Sequence, residues 1–278
     1  MWRSPLGRRA VRPFLAALIT LLSASSTPAR AQTLPEGSRN FYVGFSLPMG
    51  RLAATMRKTV DNTAPHTLVP EPRRGQVFRD EVVGDGFAYG LAVNVGYRLP
   101  LSDAAYHLDG DVDVEWHGGT LEAQFAGAGA SRERRQLGES WPDRWSVRKQ
   151  RSYGATLRLG GSPGGLRVRD LSLYLMAGVR FTDTRLTSDY NGCFSPEPCE
   201  PHEFGSGTED RDLDFLGWRS GFGMEKRVGQ QLAVRVEASY SSHAREDWVT
   251  PFDEVGVTVD SSIDAYEVGL TLGVVRRF

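Results

Sequence analysis

Acidic and basic side chains recur at every second position along parts of this chain. Asp109, Asp111, Asp113 and Glu115 form one such run. Glu225, Glu237 and Glu267, with Arg98, Arg158, Arg180, Arg219, Arg227 and Arg235, follow the same spacing in other segments. A period of two puts such residues on one face of an extended strand. Carboxylates and guanidiniums enclosed on one face can pair into a plug, line a narrow path for water or small ions, or hold a charged solute. Unpaired buried charge is costly, so pairing is the expected outcome. The network is expected to comprise Asp111, Asp113, Glu115, Arg158, Arg180, Arg219, Arg235, Glu237 and Glu267. Of these, Asp111, Asp113, Arg180, Arg219, Arg235, Glu237 and Glu267 lie near mid-strand and would line the path in the alternative reading.

Two other groups could carry chemistry. Cys193 and Cys199 are the only cysteines, within C-F-S-P-E-P-C. An even count in an exported chain favours one small disulfide. The alternative is a metal site completed by His202 and Glu203. Near residue 240, Ser239, Ser241, Ser242, His243, Glu246 and Asp247 supply hydroxyls, an imidazole and carboxylates, the parts of a hydrolase. Ser242 and His243 are adjacent, however, and adjacent residues on a strand point opposite ways. A polar strand end is the favoured account.

The elements that must position these groups are strands. In the last segment, Tyr266, Val268, Leu270, Leu272, Val274, Arg276 and Phe278 share one face. Ala265, Glu267, Gly269, Thr271, Gly273, Val275 and Arg277 share the other. The same two-faced pattern appears over 40–49, 86–99, 106–117, 151–159, 171–182, 213–227 and 232–242, which makes eight strands. Long connections over 52–85, 118–150, 183–212 and 243–262 alternate with short turns near 100–103, 160–165 and 228–230. Strands of about 10 to 13 residues with one greasy and one polar face suit a tilted membrane strand. Aromatic residues fall near strand ends: Phe41, Tyr97, Tyr106 and Phe278 at one rim, and Phe87, Tyr89, Trp116, Tyr153, Phe181 and Tyr240 at the other. The expected fold is all-β: an eight-stranded antiparallel up-and-down transmembrane β-barrel with four long external loops and short periplasmic turns.

Composition agrees. Arg3, Arg8, Arg9 and Arg12 precede an apolar run over 14–22, and Ala29-Arg30-Ala31 follows, so residues 1–31 read as a signal peptide and 32–278 as the barrel domain. Five arginines and no acid lie in 1–31, which leaves 28 basic against 34 acidic residues, a net charge of −6. That balance argues against nucleic acid as a partner. The first two connections lean basic, with Arg57, Lys58, Arg144, Arg148 and Lys149 among their residues. The last two are acidic, with Glu209, Asp210, Asp212 and Asp247. Such loops could meet lipopolysaccharide, directly at its phosphates or through divalent cations.

The chain from Gln32 to Phe278 resembles the small eight-stranded Gram-negative outer-membrane barrels of the OmpA/OmpX type. Gly273 and Phe278 resemble the C-terminal signal read by the barrel assembly machinery. Arg276 departs from that signal, where a hydrophobic residue is usual. The resemblance implies an outer-membrane monomer with both termini periplasmic. It implies a structural or surface-interaction role, no cofactor, no metal and no enzyme activity. Its partners would be outer-membrane lipid, lipopolysaccharide and the assembly machinery. No peptidoglycan-binding domain is expected. A narrow gated pore is the alternative, and a lipid-A-modifying enzyme the second alternative.

Overall fold

The computed structural model describes residues 40–64, 74–101, 106–125, 144–162, 170–193, 200, 202, 204–253 and 256–278. The expected signal peptide and the start of the barrel domain at residue 32 lie outside the described residues.

Nine strands are present among the described residues: β1 (Phe41–Asp61), β2 (Val77–Pro100), β3 (Tyr106–Gly118), β4 (Leu121–Gln124), β5 (Arg144–Gly161), β6 (Leu171–Cys193), β7 (Phe204–Arg227), β8 (Leu232–Phe252) and β9 (Val257–Arg277). Each is antiparallel to its neighbours in one sheet. β1 pairs with both β2 and β9, which closes the sheet into a ring. β3 and β4 share one place in that ring, both lying between β2 and β5. The architecture is therefore the expected up-and-down ring of eight. Gly119, at φ 97°, turns the chain between β3 and β4. A Cβ there would run into the Phe87 carbonyl oxygen.

Strand length differs from expectation. Most strands run 18 to 24 residues, because stretches read as long loops continue the ladder. Arg57 and Lys58 lie on β1, Arg148 and Lys149 on β5, Asp210 and Asp212 on β7, and Asp247 on β8.

The outward rows begin as the sequence predicts. Phe45 and Leu47 on β1, Leu91 on β2, Leu157 on β5, Leu175 and Val179 on β6, Phe222 on β7 and Val268 to Val274 on β9 are exposed apolar side chains. Phe41, Tyr97, Tyr106 and Phe278 bound this belt at one rim. Phe87, Tyr89, Trp116, Phe181, Trp218, Tyr240 and Tyr266 bound it at the other. Trp218, Tyr240 and Tyr266 lie side by side there, with ring centroids 5.4 and 6.2 Å apart. At a strand rise of 3.4 Å and a 40° tilt, the nine residues from Phe41 to Met49 climb about 23 Å, the height of a lipid-facing band.

Beyond the second rim the strands continue and their polarity inverts. The outward face becomes charged, with ion pairs Arg51–Asp85 at 2.9 Å, Arg57–Glu81 at 2.6 Å and Arg185–Asp210 at 2.9 Å. The inward face becomes mostly apolar, although Lys58 of β1 is buried there and donates to Ser188 of β6 at 3.3 Å. Leu52, Ala54 and Met56 of β1, Leu121 of β4, Trp145 and Val147 of β5, Leu186 of β6, Leu213 and Phe215 of β7, and Ile263 and Ala265 of β9 form one buried cluster. β-Bulges at Lys149/Arg151 in β5 and at His243/Glu246 in β8 shift the register at this level. An extra residue switches which side chains face in, so Lys149, Val147 and Trp145 point inward above the bulge although Ser152 and Thr156 do so below it.

Candidate functional site

The lumen below the apolar cluster is packed with charge. Among the described residues, seven carboxylates face into it: Asp109, Asp111, Asp113, Glu115, Glu225, Glu237 and Glu267. Seven cations meet them: Arg98, Lys149, Arg158, Arg180, Arg219, Arg235 and Arg277. The balance is neutral, as an enclosed set of charges requires if none is to stay unpaired.

The pairs stack in tiers along the barrel. Nearest the Phe278 end, Arg98 donates two hydrogen bonds to Asp109, at 2.7 and 2.6 Å. Glu225 is held there by Arg235 at 2.9 Å, by Arg98 at 3.2 Å and by Arg277. In the next tier Arg158 bridges Asp111 and Glu237, the latter at 2.7 Å. Tyr42 donates to Asp111 at 2.7 Å, and Tyr174 to Glu237 at 2.9 Å. The Arg235 guanidinium lies over both rings, 5.3 Å from Tyr42 and 5.8 Å from Tyr174. Above this, Arg180 forks onto Glu115 at 2.5 and 2.7 Å and reaches Asp113 at 3.0 Å. Arg219 faces Glu115 at 3.5 Å and Glu237 at 3.7 Å, which ties the two tiers together. The uppermost tier is Lys149 with Glu267 at 2.5 Å, and His117 with Ser152 at 2.9 Å. The apolar cluster closes the lumen directly over it.

All nine charges expected in the network occupy the lumen. Arg227 does not; it is exposed and faces Asp170 at 4.0 Å, beyond the last tier. Sequence reading missed Lys149, because its segment lacked alternation, and Arg277, although its parity already placed it inward. It also missed Tyr42 and Tyr174, whose inward parity among polar neighbours was a usable signal. Gly273 faces the lumen beside Ser46, where a Cβ would come within 3.0 Å of the serine Cβ. Phe278 donates its backbone N–H to the Phe41 carbonyl at 2.9 Å, and Arg276 lies 5.1 Å over its ring.

The room left in this network is small. A void of about 20 Å³ lies among Asn94, Asp113, Arg158, Arg219, Glu237 and Thr271, enough for roughly one water. Among the described residues, no side-chain hydrogen bond joins Ser239, Ser241, Ser242, His243 and Glu246 to one another. Ser241 and His243 are both buried in the lumen, but among the described residues no hydrogen bond joins His243 to a serine or a carboxylate. Its ring sits 5.8 Å from Phe215, under the apolar cluster. Asp247 faces away, bound to Arg245 at 2.7 Å. Cys193 ends β6, and Cys199 and Glu203 lie outside the described residues, as do the disulfide and metal arrangements that involve them.

The sequence matches no protein-family model and no curated protein. The ring is similar to several solved structures. One is the outer membrane protease OmpT from Escherichia coli, at 12% identity and TM-score 0.40, with 90% of this chain and 100% of that chain covered. A major outer membrane protein from Thermus thermophilus follows at 14% and TM-score 0.38, covering 81% and 99%. Neisserial surface protein A is similar at 14% and TM-score 0.32, covering 86% and 97%. These are outer-membrane barrel proteins, and at such identities and scores the likeness assigns this chain no activity.

Proposed function

We propose that the chain is a sealed, non-enzymatic barrel of the outer membrane, monomeric, with a structural and surface-interaction role. The carrying observation is the inversion of polarity along continuous strands. In one half apolar side chains face out and charges face in; in the other, charges face out and an apolar cluster faces in, with Lys58 and Ser188 paired beside it. The first half suits hydrocarbon and the second suits water, so the strands stand well clear of the membrane. With this orientation both termini and the short turns are periplasmic, and the charged outer half meets the lipopolysaccharide layer.

The same inversion argues against the pore. A path through the lumen would cross a layer built from Trp145, Met56, Leu121, Leu186 and Ile263, each almost wholly buried. An isolated ion in such a layer costs tens of kcal/mol by idealised solvation estimates. Beneath it, every guanidinium and carboxylate would have to give up a partner.

The test is conductance of the refolded protein in planar bilayers, with Arg219→Ala and Glu267→Ala beside the wild type. Silence from all three is expected. Steady channels altered by either substitution would overturn the sealed reading. The enzyme alternative is tested separately by the mass of lipid A after expression, which is expected to stay unchanged.

A further inference from the structure

A cavity of about 580 Å³ lies in the outer half of the barrel, within the ~300–1,000 Å³ range of small-molecule sites. Its lining comes from four adjacent strands, β2, β1, β9 and β8. The row Asp80, Lys58, Ser261 and Trp248 belongs to the inward face, where Lys58 reaches Ser188 and Trp248 packs on the apolar cluster. The rows on either side of it face outward and line the cavity too, which makes it a groove on the outer face of the sheet.

Two register rows build it. Glu81, Arg57, Ser262 and Asp247 lie side by side, and Arg79, Thr59, Asp260 and Val249 form the row above. The small side chains Ser262 and Thr59 sit in the middle, with long charged ones around them. Ser262 faces outward yet is only 3% exposed, and its hydroxyl has no hydrogen-bond partner. A buried hydroxyl left unpaired is costly and is normally satisfied.

The charges around it are not equally free. Arg57 is committed to Glu81 and Asp264, and Arg245 to Asp247. Arg79 and Asp260 have no ion pair among the described residues. The groove thus offers one open guanidinium, one open carboxylate and a hydroxyl floor. A guanidinium suits phosphate; a carboxylate and a serine suit sugar hydroxyls. Arg57 lies four residues beyond the level of Ala53 and Tyr266 in the aromatic rim. By strand rise and tilt that is about 10 Å above it.

We propose that this groove binds a phosphorylated sugar, with phosphate on Arg79 and ring hydroxyls on Asp260 and Ser262. The proposal deepens the surface role above, and rests on it only in setting this end of the barrel outside the membrane. The sugar phosphate is either the headgroup of an outer-leaflet glycolipid or a free saccharide phosphate.

Calorimetry on the refolded full chain distinguishes the sources. One arm titrates glucosamine 1-phosphate into protein in detergent micelles, with glucosamine as the uncharged control. The other measures capture of nanodiscs containing lipopolysaccharide against phosphatidylcholine nanodiscs. Arg79→Ala is expected to weaken binding at least about ten-fold, on the scale of a charge-assisted hydrogen bond. Ser262→Val, which fills the floor, is expected to do the same. Arg185→Ala, outside the groove, should leave it unchanged. Binding of the free sugar phosphate supports the groove with a soluble ligand. Lipopolysaccharide binding alone, lost in both groove variants, supports the lipid headgroup. Binding to neither, or equal losses in Arg185→Ala, overturns the proposal. If the protein still inserts into bilayers and stays silent, the sealed-barrel reading survives that result.

Discussion

Replacing Leu186 by alanine tests whether the outer half holds a true packed core. Leu186 is fully buried on the inner face of β6, in register with Val147 and packed in the cluster with Trp145, Leu213 and Phe215. Truncation removes three carbons. At about 0.8 kcal/mol per buried methylene, lost transfer alone is about 2.4 kcal/mol. A residual cavity under the rigid Trp145 and Phe215 rings adds to this, so about 3 to 4 kcal/mol is expected, within the range seen for such changes. The matched control is Leu175→Ala. Leu175 is on the same strand but 69% exposed, in the middle of the outward belt. Lipid chains can fill the space it leaves, so no cavity remains and the cost is about 2 kcal/mol or less. Both are read from urea unfolding in phospholipid vesicles, by tryptophan fluorescence, with coincident unfolding and refolding curves as the condition for equilibrium. The Leu186 cost should also be insensitive to the chain length of the lipid. A loss below about 1 kcal/mol for Leu186→Ala, with a larger loss for Leu175→Ala, would refute the inverted core.

Three further outcomes follow from the same geometry. Leu175→Arg, near the middle of the belt, should cost about 2–4 kcal/mol in bilayers; an unchanged unfolding midpoint would mean the belt does not face hydrocarbon. Arg180→Met leaves Glu115 and Asp113 without their main partner and should cost about 3–5 kcal/mol, whereas Arg180→Met with Glu115→Gln should cost at least about 1 kcal/mol less than the sum of the single changes. Additive losses would show that the fork does not form. On the outer surface, hydrogen bonds from Arg185 and Thr187 hold the Asp210 carboxyl below the usual carboxylate range. Its folded pKa is depressed, so its contribution is present above the unfolded value and lost as pH falls through the folded one. Carboxyl NMR should show Asp210 moving up in Arg185→Ala, and identical titrations in both proteins would deny the pair.

Alternation was legible wherever one solvent lies on one side of the sheet. β2 is the clearest example. From Phe87 to Leu99 its odd residues face out and its even residues face in, as the sequence predicted, and Asn94 and Arg98 join the network from that inner row. The outer halves were read as loops because their apolar phase is opposite. On β1 the outward run Phe41, Phe45, Leu47 and Met49 is odd-numbered, and the inward run Leu52, Ala54, Met56 and Val60 is even-numbered. On β9 the inward Val257, Val259, Ile263 and Ala265 are odd, and the outward Tyr266, Val268 and Leu270 are even. The backbone is continuous across both junctions; only the medium changes sides.

A window that spans such a junction averages two opposed patterns and shows none. Bulges hide the effect differently. On β5, Trp145 and Val147 face in and Tyr153, Ala155 and Leu157 face out, yet all are odd, because the extra residue near Gln150 absorbs the phase change. That is why Lys149 escaped the network although its partner Glu267 was found. A one-residue slip in apolar phase without a turn signal between the runs therefore marks, in this chain, the height at which hydrocarbon outside gives way to water. By that criterion the slip between Met49 and Leu52 on β1 and that between Ala265 and Tyr266 on β9 should stand at the same level. The register agrees: Leu52 lies opposite Glu267, and Ala53 opposite Tyr266.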